Sequence, residues 1–413
     1  MRSVEEHRRI VADLVAARPA RTVKLAEAEG LVLADDVVAP LSLPMFDNSA
    51  MDGYAVLASD LPADTGLAKP VKLPVAQDIP AGRTDRLILA PSTAHRIMTG
   101  APLPEGATAV VPVELTDAGV DVVEIRRTAE PGQHIRRAGE DVTAGTTVLR
   151  AGQVISPAVV GLAAALGLGE LRVIPPLRVL VMSTGSELIK PGTELLPGQI
   201  YESNAVMLAA AVREAGGDVV ATPTSDDDVD AFRAALEPHL IDTDLIITSG
   251  GVSAGAYEVV KDAFGKDGGD GVTGVQFVKV AMQPGMPQGA GLVRGVPIVT
   301  LPGNPVSSLV SFEVFVRPAL RKAMSMPYPD RPRRTAVLTE DLTSPGGKRQ
   351  FRRGVYFPGI RGEIGTVTTY GPPASHHLRW LASANCLLEV DEATTELAAG
   401  QHVQVWDLRG VEK

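Results

Sequence analysis

Apolar positions recur at helical spacing near the start of the chain, where Ile10, Val11, Leu14 and Val15 share one face and Pro19 ends the run. A second short helix is expected at Leu25 to Glu29. From about 45 to 141 the pattern becomes short alternating runs, such as Val71 to Ala76, His95 to Met98 and Val120 to Ile125, between Pro and Gly clusters, which predicts a β-rich domain. Residues 142–172 return to mixed character with a helix at Pro157 to Leu166. If they pack with residues 1–44, the β-rich segment 45–141 is an insertion into a discontinuous α+β domain.

After Pro175-Pro176 strand, turn and helix alternate. Strands are expected at Arg178 to Met182, Val219 to Ala221, Leu245 to Thr248, Val275 to Val280 and Pro297 to Leu301. Helices are expected from Ser203, as cap, to Ala215, and at Val229 to Leu240, Tyr257 to Phe264 and Val306 to Met324. Such alternation over 173–326 implies a mostly parallel sheet covered on both faces, a three-layer α/β/α domain. Pro327 to Pro332 reads as a linker, and 333–413 as a small β domain with strands near Ala336 to Leu338, Gly365 to Thr369, Cys386 to Val390 and His402 to Trp406.

A length of 413 residues requires several such domains. The net charge of −10 argues against broad nucleic-acid binding but not against a small anionic substrate in a local cleft. One cysteine, Cys386, excludes an intrachain disulfide and a cysteine-based zinc cluster, and fits a cytosolic setting. The amino terminus has no apolar signal segment, and the apolar stretch from Val154 to Leu168 is too short and interrupted to span a bilayer.

Three turns carry the candidate chemistry, each after an apolar strand pattern: Ser183-Thr184-Gly185, Ser249-Gly250-Gly251 and Pro302-Gly303-Asn304-Pro305. In a parallel sheet all three lie at the carboxyl ends of strands, where ligands bind. Backbone N–H groups at such turns favour phosphate-like anions, and paired glycines allow close approach. Taken singly, the first turn is an ordinary strand end with a solvated Glu187; taken with the second, which runs on through Ser253 to Glu258, it reads as a ligand site. Ser307 offers a hydroxyl at the third, which reads as an anion site or as a rigid strand-to-helix connection.

Acidic neighbours suggest phosphate-plus-metal chemistry. Asp226, Asp227 and Asp228 open a helix, where macrodipole compensation accounts for two of them and leaves at most one for chemistry. Asp52, in Ser49-Ala50-Met51-Asp52-Gly53-Tyr54, and Asp141, in Gly139-Glu140-Asp141, are by pattern alone solvated turn residues. Lys279 closes an apolar strand and is expected to face a ligand or an acidic partner. Arg136, Arg137, Arg349, Arg352 and Arg353 read first as loop residues. The histidines lack metal-ligand spacing, and neither a P-loop nor a serine-hydrolase elbow is present.

The series Asn48-Ser49-Ala50-Met51-Asp52-Gly53-Tyr54-Ala55, Thr99-Gly100-Ala101-Pro102-Leu103-Pro104, Gly139-Glu140-Asp141, Ser183-Thr184-Gly185, Ser249-Gly250-Gly251-Val252-Ser253 and Leu301-Pro302-Gly303-Asn304-Pro305-Val306-Ser307 resembles the MoeA family of molybdopterin molybdenumtransferases, which includes the gephyrin E domain. The resemblance covers nearly the whole chain. It implies a molybdopterin-binding-like α/β domain, a carboxyl-terminal β-barrel, and an elongated homodimer whose cleft joins the α/β domain of one copy to the β-rich insertion of the other. It implies insertion of molybdate into adenylylated molybdopterin, with hydrolysis of the adenylate and release of AMP and molybdenum cofactor, in the presence of Mg²⁺. Partners of such an enzyme are a molybdopterin adenylyltransferase and molybdoenzyme apoproteins, with no nucleic acid and no membrane. The family's acidic positions fall on Asp52, Asp141, Glu187, Asp227 and Glu258, of which Glu187, Asp227 and Glu258 would hold the metal. Its basic and hydroxyl positions fall on Lys279, Arg353 and Ser375. The substrate would lie on Ser183, Thr184, Gly185, Ser249, Gly250, Gly251, Ser253, Pro302, Gly303, Asn304 and Ser307. The chain departs from the family at Glu258, commonly Asp; at Gln283 and Met286, often Lys; and at Ala374, commonly Gly. Fewer cations there are expected to weaken anion binding or to shift it toward Lys279 and the turns. A scaffold or binding paralogue of the same fold is the alternative reading.

Overall fold

The computed structural model describes residues 1–61, 70–251, 259–264, 272–360 and 362–409, in two compact units: Met1–Arg21 with Arg172–Lys413, and Thr22–Leu171.

In the first unit, strands β1 (Arg178–Thr184), β2 (Asp218–Ala221), β3 (Leu245–Ser249), β4 (Val272–Lys279), β5 (Pro287–Val293) and β6 (Val296–Leu301) form one sheet in the order β2-β1-β3-β6-β5-β4, with Thr224–Ser225 pairing beside the end of β1. β2, β1, β3 and β6 run parallel, and β5 is antiparallel to both its neighbours. Val179, Val181, Leu245, Ile247, Val299 and Leu301 pack on the face covered by helices α1 (Val4–Leu14), α2 (Asn204–Glu214), α5 (Pro305–Ser311) and α6 (Arg317–Ala323). Leu180, Met182, Ile246 and Ile298 pack on the other, under α3 (Val229–Leu236) and α4 (Val259–Phe264). Burial on both faces is why these strands read as continuous apolar runs.

β5 was not expected from the sequence, because Gly289 and Gly291 break its apolar pattern. Both are glycine for want of space: a Cβ on Gly289 would stand 2.1 Å from Thr300 Oγ1, and one on Gly291 2.4 Å from the Val275 Cα. The single helix expected from Val306 to Met324 is instead α5, a π-helical turn at Phe312–Val316 and α6. The widened turn places Glu313 in the interior, where its carboxylate accepts Arg331 Nε and Nη2, both at 2.8 Å.

α1 packs on the π-helical turn and α6, capped by Ser3, whose hydroxyl accepts the Glu6 amide at 3.1 Å. His7 is fully buried, edge-on to Phe315 with ring centroids 4.7 Å apart. Burial, with a smaller push from Arg2, holds its imidazole down at about 4. The folded state therefore binds fewer protons than the unfolded chain between pH 6.5 and 4, and stability falls as the pH is lowered through that window. The contribution at stake is about 3 kcal/mol. Urea unfolding of His7→Leu is expected to show a flatter stability profile between pH 7 and 4 than the parent; parallel profiles would contradict this assignment.

The carboxyl-terminal segment closes a five-stranded barrel. Its strands β7 (Arg333–Leu338), β8 (Arg349–Phe357), β9 (Gly365–Thr369), β10 (Cys386–Val390) and β11 (His402–Asp407) run in the circular order β8-β9-β7-β11-β10-β8. β8 was also missed in the sequence, because Arg349, Arg352 and Arg353 gave it the look of a loop. Met282–Gln283 pairs with Arg349–Gln350, so the segment carrying Gln283 is pinned to the barrel.

In the second unit a five-stranded sheet is formed by Ala109–Pro112, Gly53–Val56, Ala94–Ile97, Val71–Ile79 and Val122–Ile125, in that spatial order. Leu41, Leu43 and Ala39 pack with Val142, Val148, Leu162, Leu166 and Leu168. Helix Pro157–Ala165 is capped by Ser156, with proline at its first position.

Candidate active site

Register aligns the three turns. Ser183 on β1 lies opposite Ser249 on β3, which lies opposite Leu301 on β6. The glycine turns therefore leave the sheet at one level. The Gly250 N–H donates to Leu301 O at 3.1 Å and Gly185 N–H to Ser225 O at 3.1 Å. Gly250 has φ +98°, and a Cβ there would meet Thr184 Oγ1 at 2.9 Å and Thr184 O at 3.0 Å. A Cβ on Gly303 would come within 3.4 Å of the Gly250 Cα. Any side chain at Gly250 would thus push the first turn from the second. The Thr184 hydroxyl, 8% exposed as a residue, lies under this turn and has no hydrogen-bond partner among the described residues.

Two serines expected to face a ligand are instead engaged inward. Ser183 Oγ donates to Glu202 Oε1 at 2.8 Å, and Glu202 is itself buried. Ser249 Oγ accepts Asn204 Nδ2 at 2.8 Å and donates to Pro302 O at 3.4 Å. Ser203 occupies the cap position of α2 without a capping bond; the first-turn amide of Ala205 goes to Glu202 Oε1 at 2.7 Å. Ser307 is buried in α5. Pro302 is buried, whereas Gly303 and Asn304 are exposed.

The barrel reaches the third turn through the loop around Ser375. Ser375 O accepts the Val306 N–H at 3.1 Å, and its Oγ accepts Asn304 Nδ2 at 3.0 Å. Arg353, expected on the substrate, is buried; its Nη1 donates to Ala374 O (3.2 Å) and His377 O (3.1 Å), and its Nη2 to Pro372 O. Three inward-turned carbonyls satisfy those amines, so Arg353 supports the Ser375 loop. The same holds at the third turn for Val306, whose amide serves Ser375.

Of the acidic residues, Asp227 and Glu187 stand at the first turn. Asp227 Oδ2 accepts the Ser186 N–H at 3.3 Å, and Ser186 Oγ accepts the Asp227 N–H at 3.3 Å. Asp228 is the α3 cap, accepting the Ala231 amide at 2.8 Å, so its place is structural. The Glu187 carboxylate folds over Gly185, 2.6 Å from where a Cβ would stand. Both Asp227 and Glu187 are exposed. Ser253 and Glu258 lie outside the described residues, and among those described no group of three or more His, Cys, Asp or Glu forms a metal cage. Two exposed carboxylates at one turn nevertheless suit Mg²⁺, which takes one or two carboxylates and keeps its waters.

Lys279 is exposed at the end of β4. It pairs with Pro287, and continuing the β5–β6 register sets Pro287 level with Pro302, so Lys279 shares the ligand edge two strands from β6, on the order of 10 Å away. Gln283 is held by pairing with Gln350, and Met286 O accepts the Val280 N–H at 2.7 Å.

Asp52 and Asp141 belong to the second unit, and both are exposed. Asp52 Oδ1 accepts the Thr99 N–H at 2.6 Å and the Thr99 hydroxyl at 2.7 Å. The amide first, then the hydroxyl, hold its carboxyl below the usual range. The Asp141 N–H donates to Leu43 O at 3.0 Å.

Glu202, Asn204 and Thr99 were not singled out in the sequence as site residues. The polar triplet Glu202-Ser203-Asn204 was the available signal, since one cap needs only one such residue.

Three strand-end turns meeting at one level of an α/β sheet, with carboxylates beside them, define a protein that binds an anionic, phosphate-bearing ligand. Family models match the chain in three blocks: the MoeA N-terminal region (domain I and II) over residues 2–167, a probable molybdopterin binding domain over 181–322, and the MoeA C-terminal region (domain IV) over 335–408. The chain is 68% identical over 409 residues to molybdopterin molybdenumtransferase 2 of Mycobacterium tuberculosis, covering 99% of this chain and 100% of that one. It is 38% identical to molybdopterin molybdenumtransferase 1 of the same organism, covering 98% of each. The crystal structure of the molybdopterin biosynthesis MoeA protein from Pyrococcus horikoshii matches with a TM-score of 0.80 at 28% identity over 99% of both chains. The chain belongs to the MoeA family of molybdopterin molybdenumtransferases.

Proposed function

We propose that this chain inserts molybdate into adenylylated molybdopterin, with water cleaving the phosphate–phosphate link of the adenylate to release AMP and molybdenum cofactor. The observation that carries the reading is the common level of Ser183, Ser249 and Leu301, which sets the glycine turns side by side as a cradle for an anionic pterin. The exposed Gly303-Asn304 edge supplies polar contacts, and Lys279 offsets the charge of phosphate and molybdate where Gln283 and Met286 carry none. Glu187 and Asp227 would hold Mg²⁺, an ion that supplies polarisation of a phosphoryl oxygen when bound.

Asp52 and Asp141 act from a second copy of the chain in a homodimer. Exposed apolar side chains beside both halves support this: Leu195, Leu196, Ile200, Tyr201 and Val206 follow Glu187, and Met45, Phe46 and Met51 precede Asp52. The enzyme works in the cytoplasm, taking its substrate from a molybdopterin adenylyltransferase and passing its product to molybdoenzyme apoproteins. Among the described residues no helix is long and apolar enough to cross a membrane.

The test is direct. Purified protein is incubated with adenylylated molybdopterin, molybdate and Mg²⁺, and AMP is followed by chromatography. Release that requires molybdate is expected; substrate binding without AMP release would instead favour the scaffold reading.

A further inference from the structure

The four residues Tyr201 to Asn204 touch the ends of all three site strands. Glu202 is fixed by its own N–H, which donates to Ile189 O at 2.8 Å, and its Oε1 accepts Ser183 Oγ from the end of β1. Asn204 spends both amide hydrogens on the other two turns: Nδ2 donates to Ser249 Oγ at 2.8 Å and to Gly303 O at 2.6 Å. Its Oδ1 is buried without a hydrogen-bond partner among the described residues, so these two donated bonds orient the carboxamide. The turns it joins lie backbone against backbone, a Cβ on Gly303 falling 3.4 Å from the Gly250 Cα.

We propose that Asn204, held in place by Glu202, is a positioning residue for adenylylated molybdopterin, setting the gap between the Gly250 and Gly303 turns in which the substrate's anionic end is gripped. This rests on the function proposed above. The physical argument is one of polarity. A carboxylate at position 204 has the same shape but no hydrogens, and so sets an acceptor oxygen in the place of Nδ2, against both Ser249 Oγ and Gly303 O. The serine hydroxyl can rotate to donate; the Gly303 carbonyl cannot, and its turn is driven away from Gly250.

Asn204→Asp is the decisive variant. Titration with adenylylated molybdopterin, read by intrinsic fluorescence, is expected to show a Kd at least ~10-fold above wild type. The KM for molybdate is expected to stay near wild type, and the Kd is taken for the folded fraction, which the melting curve reports. A purely structural role would lower the melting temperature and the active fraction but leave the Kd of the folded molecules unchanged. Glu202→Gln keeps an acceptor for Ser183 Oγ and is expected to bind nearly as wild type, whereas Glu202→Ala is expected to bind less tightly. Wild-type Kd in Asn204→Asp overturns the proposal, as does a Kd that changes only in step with unfolding. Should Asn204→Asp not fold, Asn204→Ser answers the same question with the same two outcomes. Wild-type protein run alongside separates the two levels: if it releases no molybdate-dependent AMP, the function fails; if it does and Asn204→Asp binds normally, only the positioning role fails.

Discussion

Glu187→Ala is expected to lower molybdate-dependent AMP release about 100-fold or more while leaving the protein folded. The side chain is exposed and lies over Gly185, outside both core clusters of the α/β domain, so its loss removes charge from the first turn without opening a cavity. Glu187→Gln keeps the shape and separates charge from packing; it is expected to fail nearly as badly. Raised Mg²⁺ should recover part of the activity if Asp227 remains as the second carboxylate. Asp52→Ala is expected to fail comparably. Thr99 holds the Asp52 carboxyl below the usual carboxylate range, so it stays ionised throughout the working pH range. The pair also tests the assembly. If each site takes Asp52 from one copy and Glu187 from the other, co-refolding the two inactive variants makes mixed dimers with one intact site each, and about a quarter of wild-type activity should return. No recovery would show that each site draws both carboxylates from the same chain. Wild-type rates in both single variants would remove the acidic site altogether.

How far the sequence reaches can be judged from particular residues. The strands Leu245–Ser249 and Val296–Leu301 are mostly apolar because both their faces are covered, and a reading by hydrophobic run finds them. The pattern left at most one of Asp226, Asp227 and Asp228 for chemistry, and the family resemblance pointed to Asp227; Asp228 is the cap. What stayed hidden depends on contacts between distant segments. β5 has glycines where Thr300 and β4 press against it, and β8 carries arginines whose charge is met by Glu5, Glu389 and Glu392 or by loop carbonyls. No local pattern shows that Arg353 turns inward or that Ser183 and Ser249 give their hydroxyl groups to Glu202 and Pro302. For Asn204 the polar triplet was a signal, but its role was hidden for the same reason, since its partners lie 45 and 99 positions away.

Glu313→Ala is expected to cost about 3–5 kcal/mol of stability, among the largest effects of any single substitution here. Glu313 is 4% exposed and receives a two-pronged contact from Arg331 at 2.8 Å, with Arg317 Nε at 3.8 Å. The two arginines respond in opposite directions. Burial lowers both, but the bonds from Glu313 and then Glu214 more than reverse it for Arg331, whose guanidinium is held above its usual value. Arg317, farther from the carboxylate and repelled by Arg331, is lowered to about 10. Arg331 therefore holds the stronger claim on Glu313, as the shorter contact requires. Removing the carboxylate leaves two buried guanidiniums beside the half-exposed Glu214, whose carboxylate is an ion-pair partner of Arg331 Nη1 at 2.8 Å. Replacing both partners, as Glu313→Leu with Arg331→Met, should cost less than Glu313→Ala alone, because one buried guanidinium, Arg317, then lacks its carboxylate rather than two. Denaturant unfolding of the three variants decides it. A double variant weaker than Glu313→Ala would mean that the ion pair stabilises the π-helical turn beyond neutralising its own charges. Because Arg331 lies two residues before β7, the strand that opens the barrel, the same loss should loosen the linker first, as earlier proteolysis between Pro327 and Pro332.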